Sequence, residues 1–96
     1  MNCSNVDSNM VSHPYSIYMW QPPRSPRDEG RWSEPAQCFS EQWALYIANL
    51  MHQESHAVIK VVCYGLNIQC FPDAHAVELV ERQIARQWKK RLDDED

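Results

Sequence analysis

One stretch of the chain, residues 57–71, limits the possible folds most strongly because it predicts a β-hairpin. β-Branched residues dominate its first half, and Gly65 then interrupts the apolar pattern where a tight turn would lie. A type II′ turn favours glycine at its first central position, which makes Gly65 and Leu66 the predicted turn residues. This turn would place Val61 opposite Cys70, with both side chains pointing towards one apolar interior.

Because side chains alternate between the two faces of a strand, the predicted turn also assigns each hairpin residue to a face. The predicted interior face carries Ile59, Val61, Cys63, Ile68 and Cys70. The predicted outer face carries Lys60, Val62, Tyr64, Asn67, Gln69 and Phe71. The hydrophobic pattern and the turn chemistry agree, and together they predict an antiparallel sheet.

Two segments with apolar residues at helical spacing predict two helices. Ser40 is a favourable N-cap for a helix over residues 41–53, and Asp73 is one for a helix over residues 74–92. The inward stripe of the first helix is expected to contain Trp43, Ile47, Leu50 and Met51. The inward stripe of the second helix is expected to contain Val77, Val80, Ile84 and Trp88.

Two further strands are predicted before the first helix. Residues 15–20 are rich in aromatic residues and form the clearer of the two. The segment 21–30 contains three prolines and predicts a connection. Residues 31–39 predict a second strand, which Pro35 restricts to a sheet edge or interrupts. In the alternative interpretation, Ser33 caps a short helical turn that contains Pro35.

A short repeat links the two halves of the chain. The triplet Gln-Cys-Phe occurs at residues 37–39 and 69–71, and each copy is followed by a polar cap and a helix. The repeat predicts an internal duplication of residues 13–55 and 56–92. The predicted fold is an α+β two-layer sandwich: an antiparallel sheet of about four strands with two helices on one face, in the order ββαββα. The alternative order, βαββα, omits the second strand.

The net charge of −4 is concentrated at the C-terminus. Four of the thirteen acidic residues lie at 93–96, which leaves nine acids against nine Lys and Arg residues in the rest of the chain. The chain therefore divides into a polar N-terminal arm over residues 1–12, a near-neutral domain over 13–92 and an acidic tail. The overall acidity neither supports nor excludes a nucleic-acid partner.

Features that would direct a chain to a membrane or out of the cell are not found in the sequence. No apolar run has the length of a membrane span, and the N-terminus lacks the basic and apolar segments of a signal peptide. We therefore expect no membrane partner and an intracellular, cytoplasmic location. The four cysteines, Cys3, Cys38, Cys63 and Cys70, are then expected to be reduced, with Cys38 and Cys70 in the core.

One histidine pair, His52 and His56, has the spacing of a helical turn, with Glu54 between its members. The second histidine falls beyond the predicted helix end, and no Cys-x-x-Cys follows, so solvated or capping histidines are expected. The sequence contains no phosphate loop and no Gly-x-Ser-x-Gly motif. It therefore predicts no metal site, no cofactor and no catalytic residues. A small enzyme or metal protein built on these three residues and a cysteine is the third functional hypothesis.

The first functional hypothesis is a small non-enzymatic binding or regulatory module. It would hold another protein, or a second copy of itself as a homodimer, at an uncovered sheet face or edge. Its expected contact residues are Tyr18, Trp20, Tyr64 and Phe71. The alternative is nucleic-acid binding through the basic side of the second helix. The residues expected to contact nucleic acid are Arg82, Arg86, Lys89 and Lys90.

Overall fold

The structure, a computed structural model, describes residues 14–94. Its elements are β1 (Tyr15–Gln21), β2 (Arg31–Trp32), β3 (Ala36–Cys38), α1 (Glu41–Ser55), β4 (Ile59–Cys63), β5 (Leu66–Phe71) and α2 (Ala74–Asp94). All strand pairs are antiparallel. The predicted α+β class is confirmed, and the order of elements broadly matches the expected ββαββα. The predicted arm over residues 1–12 and the end of the acidic tail lie outside the described range, and the internal duplication stays a prediction.

The centre of the sheet is the pair formed by β1 and β4. The strand order is β2-β1-β4-β5, and β3 also pairs with β1. Ile17 lies opposite Val61 in this central pair, and Met19 lies opposite Ile59. Side chains that face each other across an antiparallel pair pack directly together, and three of these four are fully buried. The core therefore forms where β-branched residues meet across the two central strands.

The predicted second strand exists as two short pieces, β2 and β3, on the same edge of β1. The register of β2 on β1 differs by one residue from that of β3 on β1. Ser33 bridges the gap: its N–H donates to the Met19 carbonyl at 2.8 Å, and its hydroxyl accepts from the Met19 N–H at 3.0 Å. Pro35 lies in this gap, where a residue without an N–H breaks no ladder hydrogen bond. The predicted interruption at Pro35 is confirmed, and the helical-turn alternative is wrong.

The turn of the β4–β5 hairpin lies one residue earlier than predicted. Tyr64 and Gly65 form it, with φ angles of 50° and 82°, and Cys63 pairs with Leu66 on either side. Positive φ at both central residues is typical of a type I′ turn, whereas a type II′ turn requires it only at the first. The earlier turn by itself would leave every β5 side chain on its predicted face, because it shifts the pairing between the two strands by two residues.

A bulge in the hairpin inverts the predicted faces farther from the turn. Beyond it, Val61 pairs with Gln69, and Cys70 pairs with Lys60. The bulge adds one unpaired residue to β5, and a one-residue shift moves side chains to the opposite face. The prediction that Val61 and Cys70 share one interior is therefore wrong, since Cys70 lies on the face of Lys60. Phe71, expected on the outer face, lies on the face of Val61.

Helix α1 covers the face of the sheet that carries the central apolar pairs. Ser40 caps it as predicted, since its hydroxyl accepts the Trp43 N–H at 3.1 Å. Ala44 and Ala48 are fully buried against the sheet, where their small side chains allow close approach of the helix. The buried cluster consists of Ile17, Cys38, Ala44, Ala48, Ile59 and Val61. This cluster is the core of the domain.

The contacts of α2 are with the other face of the sheet. Glu81 of α2 forms an ion pair with Lys60, with 3.0 Å between the Lys60 Nζ and the Glu81 carboxylate. Gln87 of α2 binds the backbone of Gly30, and Gly30 lies against the ring of Trp20, which points to the same face as Lys60. The expected packing of both helices on one face is therefore not confirmed.

The sequence explains why this second face needs a cover. It carries Tyr18 and Trp20 of β1, and Trp20 is almost completely buried. Val77 and Val80, from the predicted inward stripe of α2, are also buried. Burying large aromatic and aliphatic side chains stabilises a fold by about 1.5–3 kcal/mol each, which favours a helix on this face as well.

Candidate functional site

The four residues predicted to contact a partner protein do not form one surface. Tyr18 and Trp20 point to the face that α2 contacts, and Trp20 is only 7% exposed. Phe71 points to the opposite face, where its ring centroid lies 6.1 Å from that of His52. Tyr64 is at the hairpin tip and is 74% exposed. Their role in partner binding stays a prediction, and the structure leaves only Tyr64 strongly exposed.

A lysine occupies the aromatic part of the face beneath α2. The Lys60 Nζ lies 4.4 Å from the ring centroid of Trp32 and 5.3 Å from that of Tyr18. The same amine is paired with Glu81, and the Lys60 side chain is only 15% exposed. Trp32 also packs edge-on against Trp20, with 5.8 Å between ring centroids. The rings of Tyr18 and Trp32 therefore make cation–π contacts with Lys60 within the fold.

The largest exposed apolar surface on α1 is a row of side chains that we call the α1 stripe: Trp43, Tyr46 and Leu50. These residues are 53%, 54% and 38% exposed. The rings of Trp43 and Tyr46 stack, with 5.6 Å between their centroids. Trp43 and Leu50 were expected to point inward, and this prediction is wrong because the two buried alanines of α1 take that side. The α1 stripe therefore lies on the outside of the domain.

The sequence carries a signal for this stripe in the width of the apolar pattern, which the prediction assigns to a single buried face. Apolar residues occupy eight of the nine positions from 43 to 51, which is more than one face of a helix requires. The α-helical repeat divides them into an inner set around Ala44 and Ala48 and an outer set. The outer set contains Trp43 and the residues three and seven positions after it, Tyr46 and Leu50. An apolar pattern wider than one helix face therefore indicates a second apolar face on α1.

The predicted nucleic-acid residues of α2 divide into two groups. Arg82 is ion-paired with Glu78, one helical turn earlier. Arg86 and Lys90 instead line a groove between the segment at residues 22–32, which ends with β2, and the C-terminal half of α2, while Lys89 does not. We call it the loop–helix groove. It encloses about 1200 Å³ and is lined by Pro23, Pro26, Arg27, Asp28, Glu29, Gly30, Arg31, Trp32, Gln83, Ile84, Arg86, Gln87, Trp88, Lys90 and Arg91.

The acidic residues of this groove are engaged by neighbouring groups. Glu29 is ion-paired with Arg91. The Asp28 carboxylate accepts the N–H groups of Arg24 at 3.1 Å and Glu29 at 2.9 Å, and these backbone hydrogen bonds lower the pKa of Asp28. In the described part of the chain, no ion pair involves Arg27 or Arg31. The groove lining contains five Arg or Lys residues and two acids, so its net charge is positive.

The histidines and cysteines do not assemble a site. His52 is bonded through Nδ1 to the Ala57 carbonyl at 2.7 Å, and His56 ends α1 in a left-handed conformation with its N–H on the His52 carbonyl. Between residues 14 and 94, no three His, Cys, Asp or Glu side chains are grouped closely enough to hold a metal ion. Burial raises the pKa of the Cys38 and Cys70 thiols. Cys38 is buried as expected, whereas Cys70 is only half-buried.

Comparisons with known proteins leave the geometry as the basis for a functional conclusion. No protein-family model, curated protein or solved structure matches this chain. Neither helix in the described range combines the length and apolar composition needed to cross a membrane. Two surfaces, the α1 stripe and the loop–helix groove, therefore remain as the candidate functional sites.

Proposed function

We propose that this protein is a non-enzymatic protein-binding module whose partner docks on the α1 stripe. The observation that carries the proposal is the exposure of Trp43, Tyr46 and Leu50 side by side on one helix. Contiguous exposed apolar side chains on a small domain are typical of interaction sites. Tryptophan and tyrosine are also the residues most enriched among those that dominate binding free energy.

The charges around the stripe favour a basic partner. Helix α1 carries Glu41 and Glu54 near its two ends and contains no Lys or Arg. Glu54 lies four residues after Leu50, on the side of the stripe. Glu41, by contrast, lies about half a helical turn from Trp43 and acts electrostatically on Tyr15 of β1. An amphipathic helix with an apolar face and flanking Lys or Arg residues would match both the apolar stripe and the acidic Glu54 beside it. We therefore propose such a segment of another protein as the partner.

The free edge of β5 is the second surface that fits the protein-binding hypothesis. In the described residues β5 pairs only with β4, and Leu66 near its start is 70% exposed. A homodimer could form by pairing two copies of this edge. The bulge in β5 disfavours that arrangement, because bulges interrupt the regular row of backbone groups that a new strand needs. We therefore propose the α1 stripe, and not the β5 edge, as the main docking surface.

We also propose an intracellular, cytoplasmic location. Cys38, Cys63 and Cys70 are all free of disulfide bonds. Free thiols in a small domain are typical of a reducing compartment.

The experiment uses two synthetic helical peptides with the same apolar face, one flanked by lysines and the other by glutamates. Each is titrated into the protein while backbone amide NMR signals are recorded. We expect the lysine peptide to shift the signals of α1 and to bind about tenfold or more tightly than the glutamate peptide. Equal binding of both peptides, or shifts confined to other elements, would contradict the proposed partner chemistry.

Two matched substitutions identify the surface. Tyr46→Lys, in the centre of the stripe, should weaken binding of the lysine peptide about tenfold or more. Tyr64→Lys changes a more exposed tyrosine at the hairpin tip and should leave the affinity unchanged. Light scattering of the same variants tests the β5 edge. A dimer that Tyr64→Lys disrupts and Tyr46→Lys preserves would reject the α1 stripe in favour of that edge.

A further inference from the structure

We propose that the loop–helix groove binds single-stranded nucleic acid. In this proposal Arg27, Arg31, Arg86 and Lys90 hold successive phosphates, and one base stacks on Trp88. The site is separate from the α1 stripe. Failure of either proposal would therefore leave the other intact.

The charge of the groove supplies the attraction for phosphates. Arg27, in the loop, and Arg31, the first residue of β2, lie on one wall, and Arg86 and Lys90 lie on the helix wall. None of these four has an ion-pair partner in the described residues. Cations on both walls of a concave surface reinforce one another's field, which favours a flexible polyanion along the groove.

The two walls are held together before any ligand arrives. The Gln87 side chain exchanges two hydrogen bonds with the backbone of Gly30, each at 3.0 Å. Arg91 of the helix forms an ion pair with Glu29 of the loop. Asp28 fixes the loop itself by accepting two backbone N–H groups. A preformed site loses less conformational entropy on binding than a mobile loop would.

Trp88 supplies a stacking surface within the same groove. Its side chain is 56% exposed although it was expected to point inward. The Arg91 guanidinium carbon lies 4.9 Å from the ring centroid of Trp88, and this contact fixes the orientation of the indole. An exposed indole beside an excess of cations is the combination that proteins use to hold unpaired bases.

The geometry favours a single strand over a duplex. A helix that reads a duplex must enter the major groove, which is about 12 Å wide. Here the segment at residues 22–32 lies along the basic side of α2 and is bonded to it through Gly30 and Glu29. An acidic protein segment would meet the same cations but would carry no base to stack on Trp88.

Fluorescence anisotropy tests the proposal with four labelled probes: oligo-dT and oligo-U of about 12 nucleotides, a duplex of the same length, and a polyglutamate peptide of matched charge. Sodium chloride is varied from about 50 to 200 mM. The single strands should bind most tightly. Three or four phosphate contacts predict a slope of about −2 to −3 for the logarithm of the association constant against that of the salt concentration.

Neighbouring lysines provide the matched control. Lys90→Glu, in the groove, should lower the affinity for oligo-dT about tenfold or more, and Lys89→Glu should lower it less than about threefold. Trp88→Leu should lower oligonucleotide affinity by about five- to 100-fold and leave polyglutamate binding unchanged. Circular dichroism and thermal unfolding establish that each variant is folded.

Several results would overturn the proposal. One is the absence of oligonucleotide binding at the lowest salt concentration. Tighter binding of the duplex than of the single strands would show that the ligand is double-stranded. Equal binding of polyglutamate and the single strands would show that the groove binds anions in general. Equal losses of affinity in Lys89→Glu and Lys90→Glu would show that the oligonucleotide does not bind in the groove.

Discussion

The side-chain amide of Gln87 donates to the carbonyl of Gly30 and accepts from its N–H, each at 3.0 Å. These two residues, separated by 57 positions in the chain, join the segment at residues 22–32 to α2. Because both polar groups of Gly30 are satisfied by one side chain, the contact fixes the distance between the walls of the loop–helix groove.

Gln87→Ala removes both hydrogen bonds and should lower the free energy of unfolding by about 1–3 kcal/mol. Gly30 is buried, so its N–H and carbonyl cannot be fully solvated after the change. Urea unfolding measures the loss, and hydrogen exchange should show faster exchange of the Gly30 amide. Gln83→Ala is the control, because Gln83 lines the same groove and forms none of the hydrogen bonds found there. Equal stability of the two variants would show that the Gln87 bonds contribute little.

Gly30→Ala should destabilise the protein by about 1–3 kcal/mol through overpacking. A Cβ at this position would lie 2.3 Å from two ring carbons of Trp20, whose side chain is 7% exposed and has little room to move. Thermal unfolding measures the change, and the near-ultraviolet circular dichroism of the indole should also change. Gly65→Ala is the matched control: its Cβ would meet no atom within 4 Å, so only the strain of φ +82° should remain. An unchanged aromatic spectrum in Gly30→Ala would contradict the close contact.

The parts of the fold that the sequence predicted depend on local signals. Ser40 and Asp73 each accept an N–H from the first turn of the following helix, at 3.1 Å and 2.9 Å, as their side-chain chemistry requires. The interruption at Pro35 follows equally from the missing N–H of proline. The bulge in β5 has no such local signature, because pairing with β4 determines where the extra residue is accommodated. The faces of Cys70 and Phe71 were therefore not predictable from alternation alone.

The same reasoning explains what was missed at the candidate sites. Arg86 and Lys90 were recognised because they lie in one basic row of α2, but their partners Arg27 and Arg31 come from a segment far away in the chain. The tertiary contacts of Gly30 with Gln87 and of Glu29 with Arg91 bring these cations together. Periodicity identifies the faces of a helix, but it does not say which apolar face meets the sheet.

Ile59→Ala should lower the free energy of unfolding by about 2–5 kcal/mol. The Ile59 side chain is fully buried in the central pair of strands, so its removal leaves a cavity beneath α1. Leu66→Ala is the control: this side chain is 70% exposed, and its loss should change stability by no more than about 0.5 kcal/mol. Urea unfolding of both variants gives the comparison. A larger loss in Leu66→Ala would mean that the hairpin, rather than the central pair, carries the core.

Acidification should loosen the loop wall of the groove, because protonation of Asp28 weakens the hydrogen bonds that its carboxylate accepts from the loop backbone. Backbone hydrogen bonds from Arg24 and Glu29 lower the Asp28 pKa below its ordinary value of 3.8. A carboxylate with a lowered folded pKa stabilises the structure fully above its unfolded pKa, and this contribution is lost as the pH falls through the folded value. NMR titration should thus place the Asp28 midpoint below 3.8, accompanied by lower protection of the Arg24 and Glu29 amides relative to their intrinsic exchange rates. In Asp28→Asn this pH dependence should disappear, and its persistence would assign the transition to another acid.

Tyr64→Asn should stabilise the protein by about 0.5–1 kcal/mol, because asparagine before glycine is favoured in a type I′ turn. Tyr64 has φ 50° and is 74% exposed, so the change relieves backbone strain and removes few contacts. Tyr64→Thr is the control and should destabilise, since β-branched residues strongly disfavour positive φ. Chemical unfolding ranks the two variants against the wild type. In a type II′ turn at Gly65 and Leu66, Tyr64 would be an extended strand residue, where threonine is favoured over asparagine. The opposite ranking of the two variants would therefore support the type II′ turn that the sequence predicts.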